Sequence, residues 1–550
     1  MPGSSIRIQF RDILRENRLF CDYIDGLEEL RPFFSANPSC KGDYEDISKQ
    51  VTARTYRRKE LCNILLRQNQ RWMGCRKHSG EKTFQNIERL REQNCLAVVT
   101  GQQTGLFGGP LYTLYKAITA IRLADDLEKK LSVPVVPVFW IESEDHDFEE
   151  ASVITILDDK GVPQRIAYEP ADRQEGLPVS SVIIEKEMAE ALNRLDYALP
   201  RTEWKEALFE LLRCSFREKT KYLDAFASFM YALLGDRGLI FVTPSDSELK
   251  EMALPLFRNE IETAPAASRL VAESGEKLES LGMHAQISVK PGRVNLFYHD
   301  PKRRPIFFHD GAFAIDKTEP SKSLNEMLEM LQREPSAFSP TVSLRPLMQD
   351  FLFPTLAYVA GPGEISYWAQ LAGLYRHFGI PEPVVYPRMS LTIMEEKHGR
   401  ILEKYGVTPD EALQAQGRLI DGKISKSLPE DFIEKISQSR TSIEDIIRNL
   451  QQEAVAIDVN LEPAFRHFSG KLSSQWENLA RKMQDAWMAR DAVLTSQKEK
   501  VRNSLFPEGE LQERVLNVTS FLVRYERALI ERLFTEPSIA PPWNHQVIEL

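Results

Sequence analysis

Short apolar runs recur over residues 1–390, and each gives way to a glycine, proline or acidic loop and then to a helical pattern. The runs do not alternate with polar residues, which is typical of strands buried on both faces. Alternation of such strands with helices predicts an α/β fold with a mostly parallel sheet covered by helices. The runs are Leu96–Thr100, Val133–Ile141, Leu239–Thr243, Thr355–Ala360 and Val384–Tyr386.

Two stretches interrupt this series. Residues 150–235 have a largely helical pattern, and the segment Arg293–Asp310 predicts a hairpin that turns at Pro301–Arg304. We expect insertions near 150–235 and 265–340 within one core domain of residues 1–388, rather than separate domains.

Residues 389–550 have a different pattern, with a single glycine, Gly470, between Gly422 and Gly509. Apolar residues there step by four and three, which predicts the seam of a coiled coil, and Pro463 marks a turn between two antiparallel helices. Such an arm serves as a dimer contact or as a lever for a partner, although arginines within the seam leave an ordinary core helix open. Residues 506–550 are a candidate for packing back on the core. The seam positions are Ile443, Ile447, Leu450, Ala454, Ile457 and Leu461, then Phe465, Phe468, Leu472, Trp476, Leu479, Met483 and Ala486.

Charge and cysteine content narrow the class of protein. The net charge of −10 has the wrong sign for a surface that tracks nucleic acid, although a local basic pocket is still allowed. The six cysteines lie far apart with no CxxC pair, so neither a zinc ribbon nor a disulfide framework is expected. The chain shows no signal-peptide pattern at its start, and its strongest apolar run is too short to span a bilayer. We therefore expect a soluble cytoplasmic protein without nucleic-acid or membrane partners.

The loop after the first run is rich in glycine and leads through Pro110 into a predicted helix, where free backbone amides attract anions. The loop is neither a P-loop nor a dinucleotide fingerprint, so a glycine turn that brings strand and helix together is the alternative. Lys116, the only cation between Gly101 and Ile121, either reaches a phosphate or carboxylate or is simply solvated. The candidate binding residues here are Gln102, Gln103, Gly105, Gly109, Tyr112 and Lys116.

The second run is followed by a dense acidic loop, Glu142–Glu150, that contains one histidine. No second histidine or cysteine stands at ligand spacing, so no metal site is expected. Flanking carboxylates favour the charged form of a histidine and can hold an ammonium substrate, which predicts Asp145, His146 and Asp147 as catalytic residues and Glu144 as a binding residue. A hydrated acidic turn that caps the next helix is the alternative.

Two further loops follow predicted strands. Gly361 and Gly363 allow close backbone approach, while Glu364 at a helix start is stabilised by the helix dipole whatever its function. The aromatic pair Tyr367–Trp368 stacks on a ring or belongs to the core. Arg388, after the last run, is placed to bind a phosphate or carboxylate.

Several long motifs, in this order, resemble the bacillithiol biosynthesis cysteine-adding enzyme family, BshC. The resemblance runs from before Thr100 to about Asn517. The motifs are TGQQTGLFGGPLYTLYKAITAI, PVFWIESEDHDFEE, VAGPGEISYWAQL, YPRMSLTI and RNSLFPEGELQERVLN. Where the family often has a small or neutral pair before EDHD, this chain has an extra acid, Glu142.

This resemblance implies a cysteine ligase that joins L-cysteine to the amino group of glucosaminyl-malate. It also implies a Rossmann-like core with connecting insertions, similar to class I nucleotidyltransferases, and a C-terminal coiled coil that pairs subunits into a homodimer. Amide formation from a free carboxylate is uphill in water, so ATP, with or without Mg²⁺, is the expected co-substrate and no tightly bound cofactor is expected. The alternative is a non-catalytic module that binds a nucleotide or sugar and docks a partner through the arm.

Overall fold

The computed structural model describes residues 6–14, 17–75, 80–171, 176–300, 302–316, 321–414, 430–488 and 492–550. Its strands are β1 (Ile6–Ile8), β2 (Leu96–Gln103), β3 (Val135–Glu142), β4 (Val153–Leu157), β5 (Pro163–Ala167), β6 (Ile240–Val242), β7 (Arg293–Asp300), β8 (Lys302–His309), β9 (Ala312–Ile315), β10 (Phe338–Pro340), β11 (Thr355–Ala360), β12 (Val384–Pro387), β13 (Ser390–Met394) and β14 (His545–Glu549).

The α-helices of the same residues are α1 (Phe10–Ile13), α2 (Arg18–Ile24), α3 (Lys41–Thr52), α4 (Arg58–Trp72), α5 (Glu81–Arg89), α6 (Leu111–Leu131), α7 (Phe148–Ala151), α8 (Met188–Ala198), α9 (Lys205–Ser215), α10 (Tyr222–Leu234), α11 (Ser247–Met252), α12 (Leu254–Glu262), α13 (Ala266–Ser280), α14 (Leu324–Arg333), α15 (Arg345–Leu352), α16 (Pro362–Trp368), α17 (Ala372–Phe378), α18 (Glu396–Lys404), α19 (Pro409–Gln414), α20 (Glu430–Ile457), α21 (Glu462–Met488), α22 (Ala492–Leu505), α23 (Gln512–Val515) and α24 (Thr519–Thr535). No helix in these ranges is long and apolar enough to cross a bilayer.

The chain forms two compact units, of which the first comprises Met1–Asp159, Pro163–Thr392 and Leu511–Ile548. At its centre lies a five-stranded sheet of order β12–β11–β2–β3–β6, in which every neighbouring pair is parallel. Numbered one to five in chain order and read from the β6 edge, the strands follow the order 3–2–1–4–5, which is the Rossmann arrangement. The predicted parallel α/β core is confirmed, and each of the five apolar runs supplies one strand.

Burial explains why these runs form the sheet interior. The residues of β2 from Leu96 to Gly101 and all of β11 are buried, so both faces of the sheet are covered. Helix α6 contacts β2 and β3, and its residues Leu114, Ile118 and Ile121 are almost fully shielded from solvent. Its apolar surface extends well beyond one stripe, as is usual for a helix packed within a large core.

The connecting segments contain more strand than the sequence predicts. Within 150–235, predicted as largely helical, β4 and β5 pair as an antiparallel hairpin before α8, α9 and α10. Further along, β7 to β10 form a four-stranded antiparallel sheet. The hairpin there turns more tightly than predicted, because Lys302–Arg304 already belong to β8 and Asp300 faces Lys302; Pro301 lies outside the described residues.

One expectation about the cysteines is wrong. Cys75 and Cys214 form a disulfide bond across a sequence separation of 139, with their Cα atoms 5.7 Å apart. The fold brings Cys75, three residues after the end of α4, to Cys214 in the last turn of α9, which no local spacing could reveal. The remaining cysteines, Cys21, Cys40, Cys62 and Cys95, are free.

The second unit comprises Lys160–Val162, Ile393–Glu510 and Glu549–Leu550. In it α20 and α21 pack against each other as an antiparallel helical hairpin that turns at Val459–Leu461, close to the predicted turn. Arg440 on one helix lies 3.6 Å from Glu477 on the other. The predicted C-terminal antiparallel coiled coil is therefore confirmed.

Candidate functional site

The candidate site is a cleft of about 750 Å³ in the first unit. It opens at the carboxyl ends of β2 and β11, where the strand order reverses, and a Rossmann sheet binds ligands at such a switch point. Because successive strands lead their helices to opposite faces there, a crevice is left between the loops. The predicted residues that line it are Gln102, Gln103, Tyr112, Lys116, Asp145, Gly361, Gly363, Glu364 and Arg388.

Lys116 lines the cleft, and its side chain links the end of β2 to the loop after β11. Its ammonium donates to the carbonyl of Gly101 at 2.9 Å and to Gln102 Oε1 at 2.9 Å, and it forms an ion pair with Glu364. The three protons of a lysine ammonium thus have three acceptors. Lys116 is buried rather than solvated, and its donors are used within the protein.

Glu364 is the counterpart of Lys116 on the loop after β11. It accepts from the Gly361 amide at 2.8 Å and from the Tyr358 hydroxyl at 2.9 Å, so it also caps α16. Burial would raise its pKa, but Lys116 and the amide outweigh burial and hold the pKa of Glu364 below its ordinary value. The carboxylate is therefore ionised and fixed in place.

Acidic and basic groups share the cleft. Glu142, at the end of β3, has its Oε2 3.7 Å from Arg345 Nε, and Asp145 Oδ1 lies 3.8 Å from Arg303 Nη1. Arg345 also donates to the Tyr367 hydroxyl at 2.7 Å. The same cleft can therefore receive a cationic amine beside its carboxylates and an anionic group beside its arginines.

Not all of the residues predicted for the site in the acidic loop line the cleft. Only Asp145 of the predicted catalytic group lines it; the His146 side chain is 60% exposed and its Nδ1 lies 3.2 Å from Asp145 Oδ1. Asp147 caps α7 by accepting from the Glu150 amide, as in the alternative interpretation of this loop. Glu144 is buried in an ion pair with Lys250 and does not line the cleft.

The glycines Gly105 and Gly109 of the glycine loop do not line the cleft. Gly105 and Gly109 are buried, and a Cβ on Gly105 would stand 2.7 Å from the Gly109 Cα, so these glycines permit a close approach of backbone segments. The Asn517 side chain donates to the carbonyls of Phe107 at 3.1 Å and Gly109 at 2.7 Å, which closes the loop. This geometry agrees with the alternative interpretation of the loop, a glycine turn that brings strand and helix together.

Arg388 reaches the cleft from the end of β12. Its Nη2 donates to Glu513 Oε1 at 2.7 Å, its Nη1 to the Met389 carbonyl at 2.8 Å, and its guanidinium lies 5.6 Å from the centre of the Tyr112 ring. Next to Glu513, Arg514 lines the same cleft. The returning C-terminal segment thus contributes directly to the site.

Sequence reasoning missed several lining residues. Arg514 lies in a quoted motif but carried no assigned role, and Arg303 lies in the predicted hairpin turn. Glu150 was part of the acidic loop without a role of its own. No sequence pattern pointed to Arg345, because it begins a helix that follows none of the predicted strands. Trp368 is fully buried between Tyr358 and Tyr375, so it belongs to the core.

Among the described residues, no group of three or more histidine, cysteine, aspartate or glutamate side chains is arranged to hold a metal ion. Together the fold and the cleft define a Rossmann-like protein with a polar small-molecule cleft at the switch point of its sheet. A second unit built on a helical hairpin completes the architecture.

The chain belongs to the BshC family. Residues 4–389 match "Bacillithiol biosynthesis BshC, N-terminal Rossmann-like domain" and residues 391–550 match "Bacillithiol biosynthesis BshC, C-terminal coiled-coil domain". Relatives named "Putative cysteine ligase BshC" are similar over nearly their full length. The Salinibacter ruber protein is 35% identical over 94% of this chain and 93% of its own. The Chlorobaculum tepidum protein is 34% identical over 97% of each, and that of Chloroherpeton thalassium is 36% identical over 88% and 87%.

Proposed function

We propose that the protein forms an amide bond between the carboxyl group of L-cysteine and the amino group of glucosaminyl-malate, with ATP activating the carboxylate. The observation that carries this proposal is the pairing of carboxylates and arginines in one cleft at the switch point of the sheet. The names of its relatives support a cysteine substrate. Activation is needed because a free carboxylate does not condense with an amine in water.

In this proposal Asp145, with Glu142 and Glu150 beside it, receives the amine and takes its proton. Burial, followed by the charges of Asp147 and Asp145, raises the pKa of Glu150 above its ordinary value. Arg388 and Arg514 bind the anionic part of a substrate. His146, outside the lining, supports Asp145.

The reaction can be tested with purified protein, L-cysteine and glucosaminyl-malate, with and without ATP. We expect mass spectrometry to detect bacillithiol only with ATP, and release of AMP or ADP to distinguish an adenylate from an acyl phosphate. Binding of glucosaminyl-malate or ATP without product would instead support a non-catalytic module.

The role of the acidic loop is tested by matched variants. Asp145→Asn should lower the coupling rate by about 100-fold or more, because it removes the base at the cleft. His146→Ala should stay within about fivefold of wild type, because general-base effects require contact with the reacting group. The opposite ranking would transfer the base role to His146.

We also propose that the coiled-coil hairpin pairs two copies of the chain. Several of its apolar side chains are exposed in the single chain, among them Leu450 at 53% and Phe468 at 56%. Exposed apolar side chains at the seam positions of a coiled coil suit packing against a further helix. Sedimentation equilibrium should give a dimer for wild type and for Gln452→Glu, and a monomer for Leu450→Glu combined with Phe468→Glu; a dimer in that variant contradicts the proposal.

A further inference from the structure

The returning segment Leu511–Thr519 contains a buried carboxylate that no role above uses. Glu513 is 1% exposed and accepts three hydrogen bonds, from Arg388 at 2.7 Å, Ser390 Oγ at 2.9 Å and the Leu391 amide at 2.9 Å. Burial alone would raise the pKa of Glu513, but Arg388 outweighs burial and lowers it. Glu513 is therefore an anion held in place by donors on both of its oxygens.

The carboxylate is itself anchored. Ser390 Oγ also lies 2.8 Å from His545 Nδ1, and Thr392 Oγ1 lies 2.9 Å from His545 Nε2. Burial lowers the pKa of His545 to about 4, so the ring is neutral near pH 7 and adds no competing positive charge. A rigid chain of hydrogen bonds thus runs from β14 to the guanidinium that lines the cleft.

Two positions on Arg388 are used by this framework. Nη2 is held by Glu513 and Nη1 by the Met389 carbonyl. Gly361 lies near Nε, and because glycine has no Cβ it leaves space there; a Cβ on residue 361 would stand 3.3 Å from Arg388 Nε. A guanidinium has five donors in a planar fork, so fixing one edge sets the direction of the others. The orientation of Arg388, rather than its net charge, is what Glu513 determines.

We propose that Glu513 is a positioning residue that holds Arg388 in the orientation that binds an anionic group, carboxylate or phosphate, of the substrate. The inference rests on the proposed function only in taking the cleft as the place where such a substrate binds. The competing explanation is a buried ion pair that merely fastens the C-terminal segment to the sheet domain.

The two explanations differ in what Glu513→Gln changes in the full-length protein. Gln keeps the size of the side chain, but its NH2 group cannot accept any of the hydrogen bonds that the two carboxylate oxygens receive. A positioning role therefore predicts that Arg388 loses its orientation and that anion binding weakens by about tenfold or more in the folded protein. Isothermal titration with sodium malate and with sodium pyrophosphate distinguishes a carboxylate from a phosphate ligand. Scanning calorimetry reports stability in the same samples.

The controls keep the outcome decisive. Glu508→Gln, exposed and five positions earlier, should bind like wild type. Arg388→Lys should lose affinity, and adding Glu513→Gln to it should change little more, because the two side chains act as one unit. If Glu513→Gln does not fold, Glu513→Asp replaces it in the test. Asp keeps the negative charge but is one methylene shorter, so its carboxylate lies farther from Arg388 and anion binding should also weaken.

Unchanged affinity in Glu513→Gln with a lower melting temperature would overturn the proposal in favour of a purely structural ion pair. Failure of wild type to bind malate or pyrophosphate would overturn it as well, because Arg388 would then have no anion to receive. A wild type that binds one probe but forms no bacillithiol would refute the proposed function and leave the inference on Glu513 intact.

Discussion

Lys116 illustrates how burial decides the role of a charged side chain. In the sequence it is the only cation between Gly101 and Ile121, so it was expected either to bind an anion or to be a solvated lysine. The structure places it in neither state, because its ammonium donates hydrogen bonds to Gly101 and Gln102 and forms an ion pair with Glu364. Such contacts depend on the end of β2 meeting the loop after β11, and a single sequence does not encode that proximity in any local pattern.

Removing the charge of Lys116 should therefore damage the fold before it damages ligand binding. In Lys116→Met the Glu364 carboxylate stays buried without its cation, which costs about 3–5 kcal/mol of unfolding free energy in the first unit. Adding Glu364→Gln should restore part of that loss, since removing both partners leaves no buried charge. Urea unfolding measures the effect, and Lys129→Met, exposed in the last turn of the same helix, should stay within about 0.5 kcal/mol.

Asp350 is a buried acid on α15, away from the cleft. Its Oδ2 accepts from the Tyr375 hydroxyl at 2.5 Å, while its Oδ1 has no hydrogen-bond partner. Burial raises the pKa of Asp350 to about 7. The folded protein therefore retains a proton that the unfolded chain releases near pH 4, so stability falls as the pH rises between those values and stays lower above them.

The Asp350→Asn variant should flatten this pH dependence. The amide keeps an acceptor for Tyr375 but cannot ionise, so the difference in unfolding free energy between pH 5 and pH 8 should shrink by about 1 kcal/mol or more. Glu329→Gln, exposed on α14, serves as the control and should keep the wild-type profile. An unchanged profile in Asp350→Asn would show that Asp350 does not titrate in this range.

Among the secondary-structure elements, the strands of the sheet were the most predictable from sequence. Buried parallel strands leave uninterrupted apolar runs, so the five runs identified them, although β2 extends past Thr100 to Gln103. The β4–β5 hairpin was missed because Pro163–Ala167 is short, begins with a proline and contains the adjacent polar residues Gln164 and Arg165, so it forms no apolar run. Such a strand is recognisable only through its partner, and that pairing is a tertiary contact.

The glycine loop yields a prediction about steric fit. Gly105→Ala should destabilise the first unit by about 1–3 kcal/mol, because its Cβ would meet the Gly109 Cα at 2.7 Å and backbone must move. Gly363→Ala is the matched control, since nothing lies within 4 Å of a Cβ there. Thermal unfolding compares the two, and equal melting temperatures would show that the loop tolerates a methyl group.

In the whole molecule, the division into a sheet-based unit and a helical hairpin unit follows from two sequence patterns. One is the series of apolar runs over residues 1–390, and the other is the glycine-poor segment with coiled-coil spacing that follows it. The seam predicted for the hairpin was only partly matched by burial, since Ile457 is 86% exposed and Leu479 is 47% exposed. Heptad spacing reports an apolar stripe but not which surface covers it. The cleft is lined by residues that are far apart in sequence, which is why Arg514 could not be assigned to the same cleft as Asp145 from sequence.

The disulfide links two distant parts of the first unit and provides a test of the redox setting. Closing a loop across 139 positions restricts the unfolded chain, so Cys75→Ser should lower the unfolding free energy of the first unit by about 2–4 kcal/mol. Cys40→Ser, which removes an exposed free thiol, should change it little. Titration of thiols in denaturant without reductant should find the four free cysteines in wild type and five thiols in Cys75→Ser. Six reactive thiols in wild type would instead show that the pair stays reduced, as the spacing of the cysteines alone had predicted.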